Sequence, residues 1–304
     1  MLSVGILLML VIITSAVNPN FLTWANIFGL LEQNASRGAL ALGITFVLIT
    51  GGIDLSIANM MATVAVISTV IHVRTGEALW VLIVCCLILG LISGCINGLL
   101  ITKLNLLPFV ATLIMMSVAQ GITLYTVEGM DRFLNNTNVL IIGSGKIWGG
   151  IPVAGLIFFG IAIAAAVILY RTKFGIAVYS LGGNEGAARY TGINTGWQKF
   201  KVYMLNGVFV GIAALLIIGR TGQVSATMNE GFLMDAIAAA VIGGTSPLGG
   251  KGTIFGTVVG VMIIGVLTSG LTFLAVPIQL QSMVKGLVII AAIILDSLAV
   301  GLKK

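Results

Sequence analysis

Apolar runs recur along almost the whole chain, parted by breaks of Gly, Pro, Asn and charge. They fall at roughly 2–17, 36–51, 55–72, 79–102, 105–127, 153–170, 198–219, 234–244, 253–273 and 278–298. Water-facing surfaces carry about a quarter of a globular chain as charged residues, whereas 8% of these 304 residues are charged. Lipid leaves no solvent for exposed backbone groups, so spans of this kind close as helices. The expectation is an all-α polytopic membrane protein, one transmembrane domain over 1–304, with about ten helices.

Two of those runs are weak. The run at 36–51 has Arg37 at its edge and ends in Gly51-Gly52; the run at 234–244 is too short to cross alone and ends in Gly243-Gly244. Short or glycine-interrupted spans indicate helices broken at depth, where protein or water covers the freed backbone. The paired Gly-Gly ends also fit a duplicated architecture around a central path. The first run, Leu2 to Val17, covers about 24 Å against a core of about 30 Å. Either it is a short span or the natural start lies upstream of Met1. It lacks a basic lead and a cleavage site, so a signal peptide is the weaker reading.

Sidedness follows from the basic residues. With the N-terminus inside and ten crossings, the inner loops hold nine: Lys103, Arg171, Lys173, Arg189, Lys199, Lys201, Lys251, Lys303 and Lys304. The outer loops hold five: Arg37, Arg74, Arg132, Lys146 and Arg220, with Lys285 inside the last span. Both termini are expected in the cytoplasm, and the largest outer loop runs from Glu128 to Pro152. The net charge of +6 and the pI near 9.4 are then the mark of inner loops rather than of nucleic-acid binding. Cys85, Cys86 and Cys95 lie in one apolar run and His72 is the sole histidine, so neither a disulfide, a metal centre nor Ser/His/Asp catalysis is expected.

No nucleotide loop is expected either. In GGTSPLGGKGT the Gly250-Lys251 pair lacks its partners, because Thr245 stands where glycine is needed and Gly252 where a hydroxyl is. Most acidic residues fall in loops, and Asp54, in ITGGIDLSIANMM at the junction of the second and third runs, is the exception to weigh. A charge at a span centre costs about 2.5–3.5 kcal/mol, so the expected role for Asp54 or Ser56 is capping the next helix after the Gly51-Gly52 turn. Asp235 can cap its own helix in the same way. Asn59 is polar within a span and either faces a pathway or bonds a neighbouring helix. Gly90, Gly94 and Gly98 present a small-residue face for close helix contact.

One polar interruption stands out, Arg171 to Lys201. Gly182-Gly183 and Gly192 can break the backbone on either side of a short helix. Asn184 is its expected N-cap and Glu185 complements the helix dipole. Ala187 and Ala188 would let a partner approach the backbone, and Arg189 offers a fork for a carboxylate. The alternative is a plain loop between spans.

Four stretches carry a family resemblance: ALGITFVLITGGIDLSIANMMA (41–62), GCINGLLITKLNLLPFVATLIMM (94–116), RTKFGIAVYSLGGNEGAARYTGIN (171–194) and MDAIAAAVIGGTSPLGGKGTIFGTVVGVM (234–262). Together they resemble the permease subunits of ribose-type ATP-binding-cassette importers. The resemblance implies a membrane subunit that is not itself an enzyme and binds no cofactor. ATP and Mg belong to a partner ATPase, an extracytoplasmic solute-binding protein delivers the cargo, and a second permease subunit, identical or not, completes the path. It implies that LGGNEGAARYTGIN lies in the cytoplasm and couples to the ATPase. Ala58-Asn59 departs from the small-residue pair usual after TGGIDLS. A stand-alone carrier or channel is the rival reading, and it would need ion-binding groups in the membrane. Within the importer reading, a nucleoside or a branched-chain amino acid is the alternative cargo.

Overall fold

The computed structural model describes residues 2–76, 78–127, 132–134, 137–277, 279–288 and 290. Residues 128–131 and 135–136 of the large loop, residues 291–298 of the last expected span, and Lys303 and Lys304 lie outside the described residues.

The chain begins with α1 (Leu2–Val17), a 3-10 turn (Pro19–Leu22), α2 (Trp24–Ile49), α3 (Ile57–Arg74), α4 (Leu79–Thr102) and α5 (Pro108–Val127). Next come β1 (Arg132–Phe133), α6 (Thr137–Ser144), β2 (Lys146–Ile147), β3 (Ile151–Pro152) and α7 (Val153–Arg171). Then follow α8 (Lys173–Gly183), α9 (Glu185–Tyr190), α10 (Thr195–Thr221), β4 (Gln223–Val224), α11 (Phe232–Ile242) and α12 (Ile254–Phe273). A further helical stretch covers 279–288. The strands form only two short antiparallel ladders, β1 with β4 and β2 with β3.

This is an all-α polytopic membrane protein. Among the described residues, six helices (α3, α4, α5, α7, α10 and α12) are long and apolar enough to cross a bilayer, and α1 and α11 are shorter apolar helices. The second expected span is corrected: α2 starts at Trp24, not near residue 36. Its polar first half hid it from a hydropathy reading, yet several polar groups there are accommodated, although the buried Ser36 hydroxyl has no hydrogen-bond partner. Thr23 caps the helix through Asn26 N, the buried Asn34 amide donates to Leu30 O at 2.8 Å, and Arg37 pairs with Asp235.

The second half of α2 is the axis of the bundle, buried from Gly38 through Ile49. α10 packs against it and most extensively against α4. That last contact is set by the small residues expected to make it. A Cβ on Gly94 would strike Tyr203 O and Gly207 Cα, and one on Gly90 would strike Gly207 O and Gly211 N. Backbone therefore meets backbone, the closest approach available to helices in lipid. His72 is buried, with Nδ1 3.2 Å from Ala78 O.

Candidate functional site

Backbone contacts sort the connections between helices into two ends. At one end, Gly250 N donates to Ile49 O at 2.8 Å, and the Tyr179 hydroxyl donates to Gly252 O at 2.7 Å. This end gathers the termini of α2, α4 and α11, all of α8 and α9, and the α11–α12 loop. At the other end, β1 pairs with β4, and Leu134 N donates to Gly222 O at 2.7 Å.

Three helices at the first end stop by the same device. Gly51 N bonds Leu48 O and Gly52 N bonds Val47 O after α2. Gly192 N bonds Arg189 O and Ile193 N bonds Ala188 O after α9; Gly244 N bonds Val241 O and Thr245 N bonds Ala240 O after α11. These are Schellman terminations, and the αL residue in each is glycine: Gly51 at φ 75°, Gly192 at φ 85° and Gly244 at φ 90°. Gly243 is helical rather than a break, and its missing Cβ lets α12 approach at Gly256.

Past Gly52 the chain dips into the bundle, where Asp54 is buried. Its Oδ1 accepts from Ser56 N at 2.9 Å and from Ser56 Oγ at 2.6 Å. Its Oδ2 accepts from Asn97 Nδ2 of α4 at 3.2 Å and from Asn206 Nδ2 of α10 at 2.9 Å. Asn97 Nδ2 also reaches Ser56 Oγ at 2.8 Å, and the Tyr203 hydroxyl donates to Ile53 O at 3.0 Å. The capping expectation is thus corrected in detail. Ser56 is the N-cap of α3 without a side-chain cap bond, and Asp54 ties the α2–α3 turn to α4 and α10 instead.

Asn59 settles into a second polar cluster. Its amide donates to Gln120 Oε1 at 3.0 Å and Met116 O at 3.2 Å on α5, and its Oδ1 accepts from Asn229 Nδ2 at 2.9 Å. Asn229 precedes α11, so the non-helical segment after β4 reaches from the far end to the first turn of α3. α11 then supplies the remaining depth with 11 residues, about 16 Å.

Asp235 does not cap α11. It is 3% exposed and lies 2.9 Å from Arg37 Nε and 3.0 Å from Lys285 Nζ. The Arg37 guanidinium also rests 4.9 Å over the Phe232 ring. Sequence reasoning missed this triad because its members are 50 to 248 positions apart by number, on three different elements. The signal it left was a charge inside each of three apolar runs, Arg37, Asp235 and Lys285.

The polar interruption folds as α8 and α9. The expected break at Gly182-Gly183 is corrected: α8 continues through both, and the chain turns at Asn184, φ −163°. Gly182 instead marks a close approach, since a Cβ there would strike Ile49 O and Gly250 N. Asn184 does cap α9, its Oδ1 accepting from Ala187 N at 2.9 Å. Glu185 is held by Lys199 at 2.7 Å. Ala188 is buried and unavailable to a partner, while Ala187, Arg189 and Tyr190 are exposed. The Arg189 guanidinium lies 3.4 Å from Thr195 Oγ1. Burial, reinforced by Tyr170, pushes the Tyr179 phenol up to about 12, so it stays a donor to Gly252 O.

Sequence comparison identifies relatives of the chain among transport permeases. The family described as the permease component of the branched-chain amino acid transport system matches residues 21–293. The ribose import permease of Escherichia coli is 36% identical over 96% of this chain and 91% of its own. That of Bacillus subtilis is 41% identical over 95% and 90%. The galactose/methyl galactoside import permease of Escherichia coli is 35% identical over 98% and 94%. No solved structure matches the chain.

Proposed function

The chain belongs to this family of transport permease components, and we propose that it forms the translocation path of an ATP-binding-cassette importer for a monosaccharide. The cargo reading rests on the ribose and galactose import permeases among its relatives. The hydrolysing subunit is a separate ATPase, the solute arrives on a binding protein, and a second permease subunit faces this one across the path. Ten crossings with both termini in the cytoplasm fit the basic-residue count and the two ends of the bundle.

One observation carries the coupling assignment. α8 is fixed to the transmembrane core at three points: Gly182 against Ile49, Gly182 against Gly250, and Tyr179 on Gly252. A push on the exposed face of α9 at Ala187, Arg189 and Tyr190 is delivered to the end of helix α2 and to the loop that joins helices α11 and α12. Those helices lead to Asp54, Asn59 and Asn229, which we assign to the moving wall of the path. The exposed Ala187, rather than buried Ala188, is then the position to block.

The test is capture of the tagged chain from its native membranes in mild detergent, with partners identified by mass. Recovery of an ATP-binding-cassette ATPase, and its loss in Ala187→Trp at unchanged membrane abundance, is the expected result. Solute movement by vesicles containing this chain alone, without ATP, would replace the importer by a stand-alone carrier.

A further inference from the structure

Beside the α8–α9 segment, a cavity of about 360 Å³ opens between the end of α4 and the start of α10. Leu99, Thr102, Lys103, Asn194, Trp197 and Phe200 line it. Lys103 is exposed and has no carboxylate partner among the described residues. Trp197 stacks on Phe200 with centroids 5.3 Å apart, and Lys201 Nζ lies 5.6 Å from the Trp197 ring. The nearest acidic group described on this segment, Glu185, is already held by Lys199.

Two further observations place the cavity at a lipid headgroup rather than in open water. First, α4 exposes Val84, Ile88, Ile92, Ile96 and Leu99, an apolar stripe at helical spacing that runs into the cavity mouth. Second, exposed Trp80 marks the other end of the same helix. The 24 residues from Trp80 to Lys103 span about 35 Å, somewhat more than the hydrocarbon core of about 30 Å. Tryptophan is enriched at the boundaries of a bilayer, and Trp80 and Trp197 lie near opposite ends of α4.

We propose that this cavity binds the phosphate headgroup of an anionic phospholipid, with one acyl chain lying along the α4 stripe. Lys103 meets the phosphate charge, the Asn194 and Thr102 side chains border the headgroup, and Trp197 with Phe200 forms the interfacial wall. Basic pockets between transmembrane helices are the usual places for such headgroups. The site touches the first residues of α10, so an occupied cavity would steady the base on which α9 stands.

Native mass spectrometry of the delipidated chain, incubated with phosphatidylglycerol or phosphatidylcholine, tests this. The expected result is preferential retention of phosphatidylglycerol, falling about fivefold in Lys103→Gln and preserved in Lys103→Arg. Lys103 is exposed, so neither variant threatens folding. Equal retention of the two lipids, or unchanged phosphatidylglycerol retention in Lys103→Gln, would overturn the proposal. Displacement of the lipid by excess inorganic phosphate would reassign the cavity to a free anion. Loss of ATPase capture in Lys103→Gln with lipid retention intact would reassign it to a protein partner.

Discussion

Replacing Asp54 separates a structural carboxylate from a transport group. In Asp54→Ala, three donors lose their acceptor inside the bundle: Ser56 N, Ser56 Oγ and Asn206 Nδ2. Asn97 Nδ2 keeps its bond to Ser56 Oγ. Each orphaned buried donor costs about 1–3 kcal/mol, and shared partners make the sum sub-additive, so the expected loss is about 3–6 kcal/mol. Asp54→Asn behaves differently. The new amide can keep the Ser56 bonds through its oxygen and present its nitrogen to Asn97 and Asn206. Both of those side chains have an Oδ1 without a hydrogen-bond partner, so rotation of the Asn206 amide turns an acceptor toward the new donor. The expected cost is about 1–2 kcal/mol. Denaturation in detergent, followed by labelling of buried Cys86 with a thiol-reactive dye, reads both values. Reconstituted with its ATPase and binding protein, Asp54→Asn should retain transport. An Asp54→Ala variant as stable as the parent chain would refute the hydrogen-bond argument, and a stable Asp54→Asn variant that no longer transports would make the carboxylate's charge functional.

Asp235→Asn leaves Arg37 and Lys285 facing each other without their counter-charge and should cost about 3–5 kcal/mol in the same denaturation assay. Adding Lys285→Met should recover part of that loss. Tyr179→Phe removes the hydroxyl on Gly252 O and should cost only about 1 kcal/mol of stability, while lowering transport per ATP hydrolysed in the reconstituted importer. Gly207→Val puts side-chain carbons against the α4 backbone at Gly90 and Gly94 and should abolish membrane accumulation, which immunoblotting of membranes checks.

The sequence exposed those features whose cause is local. Helix spans follow from hydropathy, the α9 cap from Asn184, and the glycine terminations from the αL geometry that Gly51, Gly192 and Gly244 accept. The small-residue face on α4 was legible because glycines at spacing four have one evident use in lipid. Features made by distant partners were not legible. The polar half of α2 looked like a loop because its compensation, Asp235 for Arg37, lies 198 positions away by number. Asp54 looked like a cap because its partners Asn97 and Asn206 sit on helices that hydropathy treats as plain spans. Ala187 and Ala188 are indistinguishable in sequence, and only the fold turns one outward and the other inward.

The same contrast explains how α8 can act as a lever. A glycine break at 182–183 would have made a hinge, and force applied at α9 would have bent the chain there. The helix instead runs unbroken to Gly183, and Gly182 is small because Ile49 and Gly250 press against it. The conformational freedom of this glycine goes unused; its missing side chain is what matters. Gly182→Ala should therefore keep α8 helical, since alanine is the better helix former, yet force α8 away from the end of α2 and from the α11–α12 loop. If transport in Gly182→Ala matched the parent chain while ATPase capture also persisted, the rigid connection would not be the route by which force reaches the path.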